Sequence, residues 1–569
     1  MVFILLMAFV LRVYQNHAWL PEALFDPDEK IYVASGMEML EGMPPKKIEM
    51  PGALYIFLLS FSYLLHFLLT NFLEIFHSLL RHDMIGLISM MNDYFIAFYR
   101  NGSAQYILAR TLSGIFGTLS IGAIYHLGRN LFNSKTGWLS AGLLSILPLH
   151  LSFSHLASAF VMAGFFYLLA LDSIVNTARE GKLRDYLLSG LLIGFSLAIR
   201  LNTFPLLIAF FTAHFLHIRN SKGNIEKFFF HRSFLAGLLT VVLAFYVACP
   251  YIITTGLLFL KEFGFRVFFP GVPVVFLSEV GKVLLVLKRE LGLVAFVLVL
   301  IAFVIGLFRR RAGEVILITA LVTDLLILAK AGFLYERYIF LMIFPSILLV
   351  AALLADEKLN RSPSLRFISI ALASALFLPL SFGSLKYTSS LKGQHTIVQA
   401  KQWLEAHVAN YGTVLMPNGL IPLPESRESL QKKLTTLSQQ DVLQIKFSIQ
   451  IQPDKPLSSL FGASRHSLYD YVIFSEMIMH EEKYWMRELS FKLADKTYEE
   501  KVFNVEWFAS TEYFLIMRRE DALKKYESGR VDYFVDIESH KELGNPVVQF
   551  KSDDHTVGPA IFIYSTGFH

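Results

Sequence analysis

Of the 569 residues, 54% are hydrophobic and only 17% charged, with a mean hydropathy of +0.50. That is too apolar for a soluble domain, in which about a quarter of residues are charged. The net charge of +5 comes from basic clusters at the ends of apolar runs, which indicates membrane topology and argues against a nucleic-acid partner. The single cysteine, Cys249, excludes an intrachain disulfide and a cysteine metal centre.

Residues 1–11 form an apolar run closed by Arg12. It lacks a basic leader and a small-residue cleavage site, so it is expected to be an uncleaved anchor. The stretch Phe25–Tyr32 follows, with three carboxylates, Asp26, Asp28 and Glu29, within four residues. Charge held at membrane depth is costly and marks a candidate functional site. Runs of span length, about 20 residues, are expected near 104–126, 136–153, 156–176, 233–253, 290–308, 314–332, 337–355 and 366–385. The stretch 184–218 divides into two short spans around Arg200, Leu201 and Asn202. With residues 1–14 this gives eleven crossings.

The run 52–80 decides the topology. Laid along the interface, it leaves Arg129 and Lys135, Arg179 to Arg184, Arg219 to Arg232, Arg309 to Arg311 and Lys358 to Arg366 on one side. The positive-inside rule makes that side cytoplasmic. A lone crossing by 52–80 would invert every later loop, and Arg81, His82, Asp83, Asn92 and Asp93 make 84–99 a poor compensating span. The expected organisation is therefore a transmembrane part, 1–385, with a first external loop of interfacial helices at 15–103. The turns 154–156, 200–203, 254–289 and 333–337 also face outside. The tail 386–569 is polar and is expected to be an external α/β domain. It has a helix at Ile397–Ala409 and strands at Thr413–Met416, Tyr471–Phe474, Trp507–Ser510, Tyr513–Met517 and Ala560–Tyr564.

A carboxylate at the bilayer surface can act as a general base toward an acceptor hydroxyl or amine. Cations at the same level, such as Lys46 and Lys47, can hold a phosphate, which arginine grips bidentately and lysine as a point charge. Arg110 fits an interfacial anchor equally well, and Arg337 a snorkelling side chain at a span's outer end. Lys46 and Lys47 also have Glu38, Glu41 and Glu49 nearby and fit a solvated ion-paired face equally well. Together these groups suit transfer from a lipid phosphate, a leaving group that needs mainly charge stabilisation.

The segment Asp28-Glu29-Lys30-Ile31-Tyr32 resembles the Asp-Glu-x-x-Tyr pattern in the first external loop of GT-C glycosyltransferases. The branch is glycosyltransferase family 39, with the dolichyl-phosphate-mannose protein mannosyltransferases and the lipid A aminoarabinose transferases. Lys46-Lys47 with Pro51 to Tyr55 is similar to that branch's Lys-Pro-Pro-Leu-x-Tyr stretch. The segments 110–117 with 125–132, 148–155 and 194–200, together with Pro250-Tyr251 and Glu336-Arg337-Tyr338 with Pro345, resemble later landmarks in the same order. The resemblance covers residues 1–355.

It implies a polytopic α-helical membrane protein of the GT-C fold, in a prokaryotic plasma membrane or an ER-type membrane. The implied reaction is inverting sugar transfer from a polyprenyl phosphate on the outer face, to a protein, lipid or glycan acceptor. Asp28 would be the base and Glu29 a supporting or acceptor-orienting carboxylate. Arg337, Arg200, Arg110, Lys46 and Lys47 would hold the donor phosphate, and Tyr32, Tyr55, His155 and Glu336 would bind substrate. The branch looks metal-independent, although Asp26 and Asp28 could ligate a divalent cation. Many relatives carry an aspartate five positions after the Ser-His element, where this chain has Phe160, which points to changed specificity or reduced activity. The rival readings are a transporter or lipid flippase, which would hold its charges near the bilayer midplane, and a catalytically silent relative.

Overall fold

The structure is a computed structural model. It describes residues 1–21, 23–26, 28–40, 42, 52–221, 228–250, 276–331, 336–357, 362–408, 413–417, 423, 504–508, 523, 533–537, 539–540, 543, 545–552, 556–557 and 559–565. The chain divides into two compact units. One comprises residues 1–16, 25–64 and 106–388, and the other 17–24, 65–105 and 389–569.

The first unit is helical. In chain order come α1 (Val2–Val13), α2 (Asp28–Leu40) and α3 (Ala53–Thr70), the last running on into the second unit. The helices α4 (Phe72–Leu80) and α5 (Met84–Arg100) belong to the second unit. Then follow α6 (Ser103–Leu131), α7 (Ser134–Ser145), α8 (Pro148–His155), α9 (Phe160–Glu180), α10 (Leu183–Ile199), α11 (Pro205–Asn220) and α12 (Arg232–Ala248). After these come α13 (Phe276–Leu291), α14 (Leu293–Arg309), α15 (Ala312–Ala331), α16 (Ile343–Leu354) and α17 (Pro363–Ser390). Short 3₁₀ turns occupy Leu201–Thr203 and Glu336–Met342.

Among the described residues, seven helical segments are long and apolar enough to cross a membrane, and eight if α7 and α8 together form one. The protein is thus a polytopic α-helical membrane protein. The eleven expected crossings fall on α1, α6, α7 with α8, α9, α10, α11, α12, α14, α15, the 3₁₀ turn with α16, and α17. Five of these helices, α1, α10, α11, α12 and α14, have only 12 to 17 residues, and α11 reaches 20 with the 3₁₀ turn before it.

Three features differ from expectation. The run 52–80, expected to lie flat as one segment, breaks at Asn71, and its first part, α3, has the length and hydropathy of a span. Nothing between Ala53 and Thr70 is charged, and neither Gly nor Pro interrupts it, so helix propagates through the whole stretch. The loop expected at 254–289 holds an amphipathic helix, α13, which buries Glu279, Val283, Leu287 and Leu291. The expected span at 136–153 is bent by 58° between α7 and α8. Pro148 begins α8, where its missing N–H costs nothing but the preceding helix cannot continue.

Arg12, fully buried at the end of α1, meets this bend. It donates to the carbonyls of Leu144 and Ser145, each at 3.4 Å, to that of Ala8 at 3.1 Å and to His150 Nδ1 at 3.0 Å. These acceptors hold the guanidinium without a carboxylate partner among the described residues.

Helices α10 and α12 approach through glycine. A Cβ at Gly194 would stand 2.5 Å from the Val241 carbonyl oxygen, and one at Gly190 would stand 2.3 Å from that of Gly237. Small residues permit such backbone contact between membrane helices. Gly194→Leu is expected to force the pair apart and destabilise the protein by about 1–3 kcal/mol or more. Thermal unfolding in detergent at an unchanged midpoint would contradict this packing.

The second unit contains a five-stranded sheet in the order β3-β2-β4-β7-β5. Strands β2 (Thr413–Pro417), β3 (Asn504–Phe508) and β4 (Tyr533–Asp536) are parallel. Strand β7 (Ile561–Ser565) runs antiparallel to β4 and to β5 (Val548–Phe550). A separate pair joins β1 (Gln394–His395) to β6 (Thr556–Val557). With α18 (Thr396–His407) this is a small α/β assembly, as its composition implies. The expected strands at 471–474 and 513–517 lie outside the described residues.

His395 caps α18, its Nδ1 accepting from the Ile397 N–H at 3.2 Å. Burial pulls its pKa down from 6.5 to about 4. The folded unit therefore holds a neutral ring. Its contribution to stability is complete above pH 6.5 and is lost as the pH falls from there toward 4. Trp19, with its ring 5.0 Å from His395, is expected to report this loss by fluorescence in the whole protein. A His395→Asn variant should flatten that part of the titration, and an unaltered profile would remove His395 as its source.

Candidate active site

Helix α2 starts at the acidic stretch, where negative charge suits the helix N-terminus. Asp26 Oδ1 accepts from the Asp28 N–H at 2.8 Å and closes the turn into the helix. Burial pushes the Asp26 carboxyl up from its ordinary pKa, and its nearness to Asp28 adds to the shift. Successive helical residues point about 100° apart, so Asp28 and Glu29 have separate surroundings.

Glu29 is fully buried. Its Oε1 accepts from Arg110 Nε at 2.9 Å and the Ala157 N–H at 2.8 Å. Its Oε2 accepts from Arg110 Nη2 at 2.8 Å and the Phe25 N–H at 2.9 Å. Four donors meet the roughly four lone-pair directions of a carboxylate, so none remains for an acceptor. Arg110, also fully buried, donates its Nη1 to the Asn16 carbonyl at 2.8 Å and stacks on Phe25 with its Cζ 3.9 Å from the ring centre. Expected among the phosphate-gripping cations, Arg110 is instead committed to Glu29. The pair ties α2 to α6 and to the segment before α9.

Asp28 faces the other way. Its Oδ2 accepts from Arg337 Nη1 at 2.6 Å, across 309 positions of sequence. The two side chains are 21% and 26% exposed, where those of Glu29 and Arg110 are 0%. Accessible groups can meet a ligand, which sets this pair apart from the buried one. Arg337 is held by the 3₁₀ turn that leads into α16.

Arg200 lies at the break between α10 and α11. Its Nη1 donates to the Tyr32 hydroxyl at 3.2 Å, and its Cζ sits 3.7 Å above the centre of the Phe160 ring. No carboxylate pairs with it among the described residues, and its buried Nε has no hydrogen-bond partner there. Burial pushes the Tyr32 hydroxyl above its ordinary pKa, and that hydroxyl senses the charges of Arg200, Asp28 and Arg337. These four residues therefore share one electrostatic neighbourhood.

The other expected site residues fall differently. Tyr55 is buried, donates to the Ala109 carbonyl and meets Ser113 Oγ, both at 3.1 Å. Both ring nitrogens of His155 face carbonyls, those of Leu151 and Tyr14, each at 3.0 Å. Tyr55 and His155 thus hold the fold together. Lys46, Lys47 and the Glu336 side chain lie outside the described residues. Among the described residues no group of three His, Cys, Asp or Glu side chains could hold a metal ion. Asp26 and Asp28, the candidate ligand pair, spend an oxygen each on the Asp28 N–H and on Arg337. Sequence reasoning missed the stacking of Arg200 on Phe160. It noted Phe160 only for lacking a carboxylate, and no spacing rule links positions 40 residues apart.

The geometry describes a helical membrane protein with an acid–arginine site, and residues 93–253 match the family model of dolichyl-phosphate-mannose-protein mannosyltransferase. This bears out the resemblance read from the motifs. No curated protein matches the chain. Among solved structures, the archaeal oligosaccharyltransferase AglB from Archaeoglobus fulgidus, in complex with an inhibitory peptide and a dolichol-phosphate, is similar at 13% identity and a TM-score of 0.47. That alignment covers 94% of this chain and 69% of that one. ArnT from Cupriavidus metallidurans bound to undecaprenyl phosphate is similar at 12% identity and a TM-score of 0.45, over 100% of this chain and 98% of that one.

Proposed function

We propose that the protein is a membrane glycosyltransferase that moves a sugar from a polyprenyl-phosphate donor to an acceptor on the outer face of the membrane. The observation that carries the reading is the accessible Asp28–Arg337 contact beside Arg200, an arginine with no carboxylate partner among the described residues. The matched family, named for a dolichyl-phosphate-linked donor, supports the substrate class. The donor phosphate would rest between Arg200 and Arg337, with Lys46 and Lys47 as further cations. Drawing Arg337 onto the phosphate would release Asp28 to take the proton of the acceptor as it attacks the anomeric carbon in line. The phosphate leaves with the bonding electrons, its charge held by the arginines. Glu29 supports this from below by fixing the start of α2. Tyr32 would orient Arg200, and Glu336 would be a further substrate-binding residue.

Purified protein incubated with a polyprenyl-phosphate-linked sugar should release polyprenyl phosphate in step with glycosylated product. Lipid moved across vesicles with its sugar bond intact would replace this reading with that of a flippase. Cysteine labelling that put position 28 in the cytosol would overturn the assigned face.

A further inference from the structure

The two arginines of the site are balanced differently. Arg337 has Asp28 at 2.6 Å, whereas among the described residues Arg200 has a phenol oxygen and an aromatic face and no carboxylate. An aromatic ring attracts a guanidinium through its quadrupole but carries no net charge. It fixes the cation in place and leaves the charge unspent.

Phe160 is suited to that task. It is 3% exposed, at the first position of α9. It is wedged edge-on against Phe153, with ring centres 5.0 Å apart, and against Phe340 at 6.4 Å. These neighbours set its plane, and Arg200 lies over its face at 3.7 Å. The buried Nε of Arg200, without a partner among the described residues, is a donor for which a ligand oxygen is the natural complement, because a buried N–H without an acceptor is costly.

We propose that Phe160 is a specificity-determining, positioning residue, holding Arg200 flat and uncompensated so that the site selects an anionic headgroup. The inference rests on the donor reading above and adds the residue that sets the charge of the pocket. A carboxylate at 160 would pair with Arg200 internally, and an aliphatic side chain would leave the guanidinium unsupported.

The test is equilibrium binding of farnesyl phosphate, with farnesol as the uncharged control, to the full-length protein in detergent. Wild type is expected to prefer the phosphate by about tenfold or more, the scale of one charge-assisted contact. Phe160→Asp should abolish that preference, Phe160→Leu should weaken it about threefold to tenfold, and Phe160→Trp should keep it. In an Arg200→Gln background, Phe160→Leu should change nothing further. Folded Phe160→Asp and Phe160→Leu proteins that bind like wild type would overturn the inference, as would an equal loss in the Arg200→Gln background. If Phe160→Asp fails to fold, the Leu and Trp variants decide the matter alone. A wild-type protein that does not distinguish the phosphate from the alcohol would remove the donor reading itself, and this inference with it.

Discussion

Asp28→Asn is expected to lower sugar transfer about 10²- to 10⁴-fold, the range for loss of a positioned general base. The asparagine keeps the shape of the side chain, and the Asp28 N–H still reaches Asp26 Oδ1, so α2 should start as before. The ion pair with Arg337 disappears, which removes the carboxylate that competes with the donor phosphate for that guanidinium. The loss should therefore fall on kcat, with donor KM unchanged or lower, a split that structural damage would not produce. Steady-state kinetics on purified protein, with recovery compared by gel filtration, make the measurement. Turnover near the wild-type rate would remove Asp28 as the base.

The second large effect belongs to the neighbouring residue. Glu29→Ala leaves Arg110 buried and charged without its carboxylate, and breaking such a pair costs about 3–5 kcal/mol. That is a large share of the stability of an ordinary domain, so little folded protein should be recovered. Two backbone donors, Phe25 and Ala157, lose their acceptor as well. Replacing both members by apolar residues of similar size, as in Glu29→Leu with Arg110→Met, should recover part of the loss. Expression yield and thermal unfolding of the single and double variants provide the test. A well-folded Glu29→Ala protein would show that the buried pair is not what secures α2.

The contrast between Asp28 and Glu29 marks how far the sequence could be read. Composition and apolar runs were enough to expect the helices, and the break at Arg200 and the polar tail stood out because each interrupts a pattern. The motif around Asp28 drew attention to both carboxylates, yet adjacent letters carry no information about which one faces inward. That depends on Ala157, 128 positions away, and on Arg110. The same limit applied to Arg110, Arg200 and Arg337. Each is a lone cation at the edge of an apolar run, and only the fold assigns one to a buried carboxylate, one to an aromatic face and one to the candidate base. Pro148 is legible as a proline, but the apolar run 136–153 continues across it, so composition alone does not show the bend. The break of 52–80 at Asn71 went unread because neither proline nor glycine marks it.

The setting of Arg12 has a consequence for how this region can vary. Its guanidinium grips main-chain oxygens at the bend between α7 and α8, and every amino acid supplies those. Position 145, which is half-buried, should accept a wide range of substitutions, while position 12 should reject even lysine, which cannot span several acceptors with one ammonium. In a saturation library scored for folded protein, tolerance would then be lopsided across a single contact, permissive on one side and strict on the other.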